Sequence, residues 1–118
     1  MAPIIDEDRL QAEWDADADG LRSLRENGDV PTLVRQVDVH FIGSAEDIVR
    51  MSEQLDPDIW KEIQVSELEG GPFALDAKRE QTTEESAIRT LTVAVLELEI
   101  LFNVSFDGWG CLATKLNN

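Results

Sequence analysis

Residues 33–41, LVRQVDVHF, decide the fold of this 118-residue chain. Val37, Val39 and Phe41 alternate with polar residues, and this period of two predicts a strand that has one face covered. We place the strand at residues 32–42. A half-apolar strand needs neighbouring strands and a layer packed on its apolar side, so the flanking sequence must supply both.

Helix signals lie on both sides of this strand. On its C-terminal side, Ser44 can cap a helix whose inner stripe is Ile48, Met51 or Ser52, and Leu55. On its N-terminal side, a helix is predicted from about residue 7 to residue 26. Its apolar stripe consists of Leu10, Trp14, Leu21 and Leu24. Asn27-Gly28, followed by Pro31, should stop that helix.

The second half of the chain repeats the same kinds of element. Residues 59–68 favour a strand, and the turn at 69–72 joins it to a hairpin partner that begins at Phe73. Thr82 and Glu85 have capping-box spacing and are predicted to open the longest helix. Its inner stripe consists of Ile88, Leu91, Val95, Leu98 and Phe102. A final strand begins at Val104, bends at the two glycines of residues 107–110, and resumes through Cys111 to Leu116.

The order of elements is a helix followed by βαββαβ, which predicts an α+β, ferredoxin-like sandwich with an extra N-terminal helix. We expect residues 1–118 to form one domain, because two domains of half this length would each be marginally stable. Two helices would cover one sheet face. The other face would carry Gln36, Asp38 and His40 unless the N-terminal helix or a partner covers it.

The formal net charge of −15 restricts the partners. It repels phosphate backbones and anionic lipid and attracts basic proteins, so we expect a protein partner and no direct binding of nucleic acid or membrane. No apolar stretch reaches the length of a membrane-spanning helix. The single cysteine, Cys111, and an N-terminus without the pattern of a secretory signal predict a cytoplasmic protein.

Catalytic patterns are weak in this sequence. His40 is the one histidine, so no catalytic or metal arrangement can use a second imidazole. A lone Cys111 is typical of a small buried apolar residue, and Gly70-Gly71 lies between strands, where it cannot open a phosphate-binding helix. We therefore expect no enzymatic activity and no cofactor. The oligomeric state stays open.

An alternative hypothesis is calcium binding, because residues 15–26 match the EF-hand loop pattern. The carboxylate ligands would be Asp15, Asp17, Asp19 and Glu26. Against it, the loop would break a helix whose apolar stripe continues through Leu21 and Leu24. Asn27-Gly28 would also stop the exiting helix, so a continuous acidic helix is the favoured interpretation.

Two surfaces are candidates for protein binding. The acidic stretch of the first helix could dock a basic segment through Glu13, Asp15, Asp17 and Asp19. Trp109, placed between two glycines, is interpreted as a core anchor at a strand bend, with an interface hot spot as the alternative.

Several stretches resemble the regulator of ribonuclease E activity B family. They are residues 26–29 before the strand ending Val39-His40-Phe41, then 44–47, and above all Phe106-Asp107-Gly108-Trp109-Gly110. The tetrad Asp107, Gly108, Trp109 and Gly110 is the most specific part, and it is carried over as a family signature that could belong to an interface.

The resemblance implies a ferredoxin-like sandwich without enzymatic activity. It also implies inhibition of the endoribonuclease ribonuclease E through binding of its basic, RNA-interacting C-terminal region, and hence a role in RNA metabolism. The sequence departs from the family's inhibitor type in two ways. It shows no long acidic tail after the last predicted strand, and residues 73–79 are neither cysteine-rich nor acidic. The fold therefore carries over better than the partner.

Overall fold

The computed structural model describes residues 3–116. The elements follow in the order α1 (Glu7–Glu26), β1 (Arg35–Gly43), α2 (Ala45–Gln54), β2 (Lys61–Glu67), β3 (Phe73–Gln81), α3 (Glu85–Phe102) and β4 (Ser105–Gly110). A helix thus precedes βαββαβ, as the sequence predicted. No helix within these residues is long and apolar enough to cross a membrane.

The four strands form one sheet in the order β2-β3-β1-β4, and every neighbouring pair is antiparallel. The strand predicted first, β1, is central and pairs with both β3 and β4. This is the arrangement of a ferredoxin-like split βαβ sheet, so the predicted α+β fold is confirmed.

The core lies between one face of the sheet and the helices. Val37, Val39 and Phe41 of β1 are completely or almost completely buried. The Phe41 and Phe106 rings lie 5.4 Å apart, a tilted aromatic contact between neighbouring strands. Ile48 and Met51 of α2 are fully buried. The fully buried apolar residues of α3 are Ile88, Leu91, Val95 and Leu96.

Helix α1 packs beside α3 and widens the helical layer. The guanidinium of Arg9 donates hydrogen bonds of 3.0 and 3.3 Å to the Glu99 carboxylate of α3. Arg89 of α3 lies 4.7 Å from the centre of the Trp14 ring, a cation–π contact. Helix α1 is therefore on the same side of the sheet as α3, and no helix within residues 3–116 lies on the opposite sheet face.

Two of the predicted helix boundaries are confirmed. The Ser44 side chain accepts a 3.1 Å hydrogen bond from the Asp47 amide and caps α2. Helix α1 ends at Glu26, and Gly28 then takes a positive φ of 84°. A residue with a side chain would be strained in that conformation, which explains the glycine.

The predicted start of α3 is wrong. Its N-cap is Glu84, without a side-chain capping bond, and Thr82 bonds the Glu84 side chain instead. Because β3 continues to Gln81, the chain needs residues 82–84 to turn into the helix. Helix α3, with 18 residues, is also shorter than the 20-residue α1, so the prediction that it is the longest helix is wrong.

The predicted continuation of the last strand is wrong as well. β4 ends at Gly110, and residues 111–116 form no regular strand. Thr114 is nevertheless fixed, because its carbonyl accepts a 2.8 Å bond from the Val30 amide. Its own amide donates a 2.8 Å bond to the Asp29 carboxylate.

Asp29 joins the ends of several elements through one buried carboxylate. It accepts a 2.9 Å hydrogen bond from Arg25 and a 2.6 Å bond from Arg35. Thr83 donates a further bond of 2.6 Å, and the Thr114 amide a fourth. Burial opposes ionisation of Asp29, but the bonds from Thr83, Thr114 and Arg35 outweigh it and lower its pKa. The carboxylate therefore stays charged and holds the end of α1, the start of α3 and the C-terminal segment together.

Candidate protein-binding surface

The sheet face opposite the helices, here called the open face, carries polar side chains from all four strands. Along β1, the residues between the buried Val37, Val39 and Phe41 point to this side. The strand register brings their neighbours on β3 and β4 to the same side. Its central part consists of Gln36, Asp38, His40, Glu62, Gln64, Asp76, Lys78, Glu80, Asp107, Gly108 and Gly110. Ile42, Ser66, Ala74 and Ser105 continue the same face toward one end of the strands.

Two side chains that can carry positive charge lie among these carboxylates. His40 Nδ1 is 2.6 Å from Asp76 Oδ1, and His40 Nε2 is 3.8 Å from Asp107 Oδ2. Lys78 Nζ is 3.2 Å from Glu62 Oε2 and 3.9 Å from Asp38 Oδ1. The hydrogen bond to Glu62, with the charges of Glu62 and Asp38, raises the pKa of Lys78.

The open-face carboxylates remain accessible to a partner. The exposed fraction of the side chain is 60% for Asp38, 59% for both Glu62 and Asp107, and 52% for Asp76. Exposed ion pairs of this kind contribute little to stability, since water already solvates both charges. The fold therefore does not depend on these groups.

A β-bulge presents Asp107 to the open face. In the β1–β4 register, Phe41 faces Phe106 and His40 faces Gly108, so Asp107 is the extra residue. Gly108 has a φ of 128°, a backbone conformation that is unfavourable for any residue with a side chain. The bend that the sequence predicted at these glycines is thus a bulge.

Trp109 points the other way, toward the helices. It faces Val39 in the register, packs against the core, and donates a 2.7 Å hydrogen bond from Nε1 to Asp17 Oδ1. Gly20 of α1 lies against the ring, because a Cβ built there would be 3.4 Å from Trp109 Cζ2. The core-anchor interpretation of Trp109 is confirmed. The tetrad is therefore divided: Trp109 attaches α1 to the sheet, while Asp107, Gly108 and Gly110 belong to the open face.

Asp17 is buried and does not belong to an exposed acidic surface, contrary to the sequence hypothesis. Thr92 Oγ1 donates to its second oxygen, Oδ2. Burial raises the pKa of Asp17, although the bonds from Thr92 and Trp109 partly offset that effect. One signal could have placed it inside, because position 17 fills the gap in the stripe formed by Leu10, Trp14, Leu21 and Leu24.

The other three acidic residues of the α1 hypothesis lie on two sides of the helix. Glu13 is half-buried and ion-paired with Arg9. Asp15 and Asp19 are exposed, and Asp19 pairs with Arg22 at 3.0 Å. Residues two apart on a helix are rotated by roughly 200°, so alternate carboxylates cannot share one face.

Helix α1 runs without a break from Glu7 to Glu26, which is not the helix–loop–helix arrangement that the calcium hypothesis requires. An EF-hand loop must leave the helix at Gly20, whereas here Gly20 is helical and packed on Trp109. Both carboxylate oxygens of Asp17 already accept hydrogen bonds, one from Thr92 and one from Trp109. Between residues 3 and 116 there is also no group of three or more histidine, cysteine or acidic side chains arranged to hold a metal ion.

The sequence also matches a known family model, that of regulator of ribonuclease activity B, over residues 14–111. The chain belongs to the regulator of ribonuclease activity B family. The family match covers most of α1 and the whole sheet, and therefore includes the open face and the tetrad at 107–110. Members of the regulator of ribonuclease activity B family are regulatory proteins. No curated protein matches the chain.

Proposed function

We propose that this protein is a non-catalytic regulator that binds a basic segment of ribonuclease E and thereby modulates RNA decay in the cytoplasm. The family match over residues 14–111 carries the proposal. It agrees with the resemblance of the tetrad at 107–110 to regulators of ribonuclease E. The whole chain would act as a single-domain binding module.

The charge of the protein supports a basic partner segment. A net charge of −15 attracts cationic protein and repels RNA. Carboxylates on the regulator would occupy the arginine and lysine side chains that otherwise contact RNA phosphates. Regulation would then be competition for the basic segment of the ribonuclease, with no need for a reaction on the regulator itself.

The chemistry of the nucleophile and acid candidates supports a non-catalytic role. Burial raises the pKa of the Cys111 thiol, which disfavours the reactive thiolate. The buried carboxylates of Asp17 and Asp29 are occupied by hydrogen bonds from Thr92, Trp109, Thr83 and the arginines. His40 is flanked by carboxylates rather than by a serine or cysteine that it could activate.

Two surfaces are candidates for the contact with ribonuclease E. One is the outer side of α1, with Asp15 and Asp19 and, at its margin, Glu13. The other is the open face, to which Asp107, Gly108 and Gly110 of the family signature contribute.

The test is a binding titration of the protein with the purified basic C-terminal segment of ribonuclease E at several salt concentrations. We expect Kd to rise steeply with salt, since the attraction is between opposite charges. RNA cleavage by full-length ribonuclease E should slow when the protein is added, while cleavage by the catalytic part without that segment should not. Absence of binding at low salt would remove ribonuclease E as the partner.

A further inference from the structure

We infer that the open face, and not the outer side of α1, is the docking surface, and that its occupant is an extended arginine- or lysine-containing segment of the partner protein. This inference rests on the proposed function and specifies the surface that performs it. Within residues 3–116, the helices α1, α2 and α3 all lie on the other side of the sheet. None of these helices therefore covers the open face.

The charges of the open face fit a cationic segment. Five carboxylates lie on it, and Lys78 pairs with two of them. The carboxylates are those of Asp38, Glu62, Asp76, Glu80 and Asp107. Neighbouring strands are about 4.8 Å apart and alternate residues of a strand about 7 Å apart, so these groups are concentrated on one nearly flat surface. On α1, Asp15 and Asp19 are on a convex helix, where Arg22 also compensates Asp19.

Within residues 3–116 the open face is rich in carboxylates and carries no phenylalanine, tyrosine or tryptophan side chain, which matches an extended basic peptide better than RNA. Base stacking needs exposed aromatic rings, and phosphate binding needs arginine or lysine. Lys78 of the open face is already shared between Glu62 and Asp38. An anionic membrane surface is disfavoured by the same charges.

Gly110 provides a specific place for one cationic side chain. It faces Asp38 in the β1–β4 register, and a Cβ built on it would meet no atom within 4 Å. Unlike Gly108, it does not have a positive φ. Neither backbone geometry nor packing requires this glycine, and it leaves a gap beside Asp38 next to the bulge that carries Asp107.

An exposed apolar side chain lies close to Asp38, the residue that Gly110 faces. Leu112 is 87% exposed and lines a shallow depression together with Arg35, Gln36, Asp38, Lys78 and Thr114. Arginine and lysine side chains have apolar stems and charged heads. We place the stem of one such side chain over Gly110 against Leu112, with its head at the carboxylates of Asp38 and Asp107.

The first experiment compares two variants of equal charge. Asp38→Asn/Asp76→Asn/Asp107→Asn removes three negative charges from the open face, and Asp15→Asn/Asp19→Asn/Glu26→Gln removes three exposed charges from α1. Titrated with the basic segment of ribonuclease E, the open-face variant should raise Kd about tenfold or more, and the α1 variant about threefold or less. Equal effects, or a larger effect from α1, would overturn the inference. Absence of binding by the unmodified protein would instead refute the proposed function.

The second experiment fills the gap without changing any charge. Gly110→Val places a branched side chain where no neighbour lies within 4 Å, so the variant should fold normally, which circular dichroism checks. We expect Kd to rise about fivefold with an unchanged salt dependence. The control, Ser86→Val, adds a similar side chain to an exposed position on α3, on the other side of the sheet, and should bind normally. Normal binding by Gly110→Val would refute the seating of a cationic side chain at Gly110.

Discussion

The two sides of the sheet use carboxylates in different ways. On the helical side, Asp29 accepts four hydrogen bonds and Asp17 accepts two, and both side chains are buried. On the open face, Asp38, Asp76 and Asp107 are more than half exposed. The comparison shows that a high count of acidic residues is not by itself a binding surface. Burial separates the carboxylates that hold the elements together from those that a partner can reach.

The largest effect that this contrast implies is at Asp29. Asp29→Ala leaves the Arg35 guanidinium, whose side chain is 6% exposed, without its carboxylate. We expect a loss of about 3–5 kcal/mol in the free energy of unfolding, because a buried charge then remains uncompensated. Urea denaturation followed by circular dichroism measures it. Asp19→Ala, at an exposed ion pair, is the control and should cost less than about 0.5 kcal/mol. Similar losses in the two variants would contradict the division between buried and exposed carboxylates.

A smaller loss is expected at Asp17. Asp17→Ala leaves the Trp109 indole N–H and the Thr92 hydroxyl without their acceptor, which should cost about 1–3 kcal/mol in the free energy of unfolding. The indole loses its hydrogen-bond acceptor, so the emission of tryptophan fluorescence should shift as well. Asp17→Asn keeps an oxygen acceptor and should lose less. Equal stability of Asp17→Ala and the unmodified protein would refute the attachment of α1 to Trp109.

The two buried carboxylates should respond to pH in opposite directions. The lowered pKa of Asp29 makes its stabilisation complete above the ordinary value of 3.8 and lost as pH falls through the lowered pKa. The raised pKa of Asp17 gives a contribution that is complete below 3.8 and lost as pH rises through the raised pKa. The Asp17→Asn variant has no carboxyl at position 17, so it lacks this pH-dependent contribution to stability.

The stability difference between the unmodified protein and Asp17→Asn should therefore grow as pH falls from neutral toward 3.8. Urea denaturation at a series of pH values measures the difference. If this stability difference instead shrinks toward acid pH, burial does not raise the pKa of the Asp17 carboxyl.

The open face should show almost no effect on stability. Each of Asp38→Asn, Asp76→Asn and Asp107→Asn should change the free energy of unfolding by about 0.5 kcal/mol or less, because these side chains are exposed. Thermal melts of the three single variants check this. A loss of more than about 2 kcal/mol in any of them would assign that carboxylate to the fold rather than to a partner.

Calcium should have the smallest effect, namely none on the melting temperature at millimolar concentration. A ligand that binds the folded state alone raises its stability, but the continuous helix over residues 15–26 does not form a calcium loop. Magnesium at the same concentration is the control for ionic strength. A rise in melting temperature specific to calcium would contradict the continuous helix.

Local patterns in the sequence predicted most of the fold. The alternation at 33–41 identified the central strand, and the cap at Ser44 and the stop at Asn27-Gly28 were correct, because these signals depend on neighbouring residues alone. The start of α3 and the end of β4 were missed. Both depend on how far β3 and the C-terminal segment pair with other parts of the chain, which a local pattern does not contain.

The candidate surface was predicted less well than the fold. Alternation placed Asp38 and His40 on the uncovered side, but Asp76 and Asp107 join them through the strand register and the bulge. The role of Asp17 was missed because polarity was taken as a sign of exposure. A buried acid depends on donors that are far away in sequence, here Thr92 and Trp109, and only the folded chain brings them together.

The most direct test of the open face as docking surface is an NMR titration of the ¹⁵N-labelled protein with the basic segment of ribonuclease E. We expect the largest amide shifts along the open face, at Asp38, His40, Gly108 and Gly110, with Asp15 and Asp19 of α1 nearly unchanged. Shifts concentrated on α1, with the open face unaffected, would contradict the assignment.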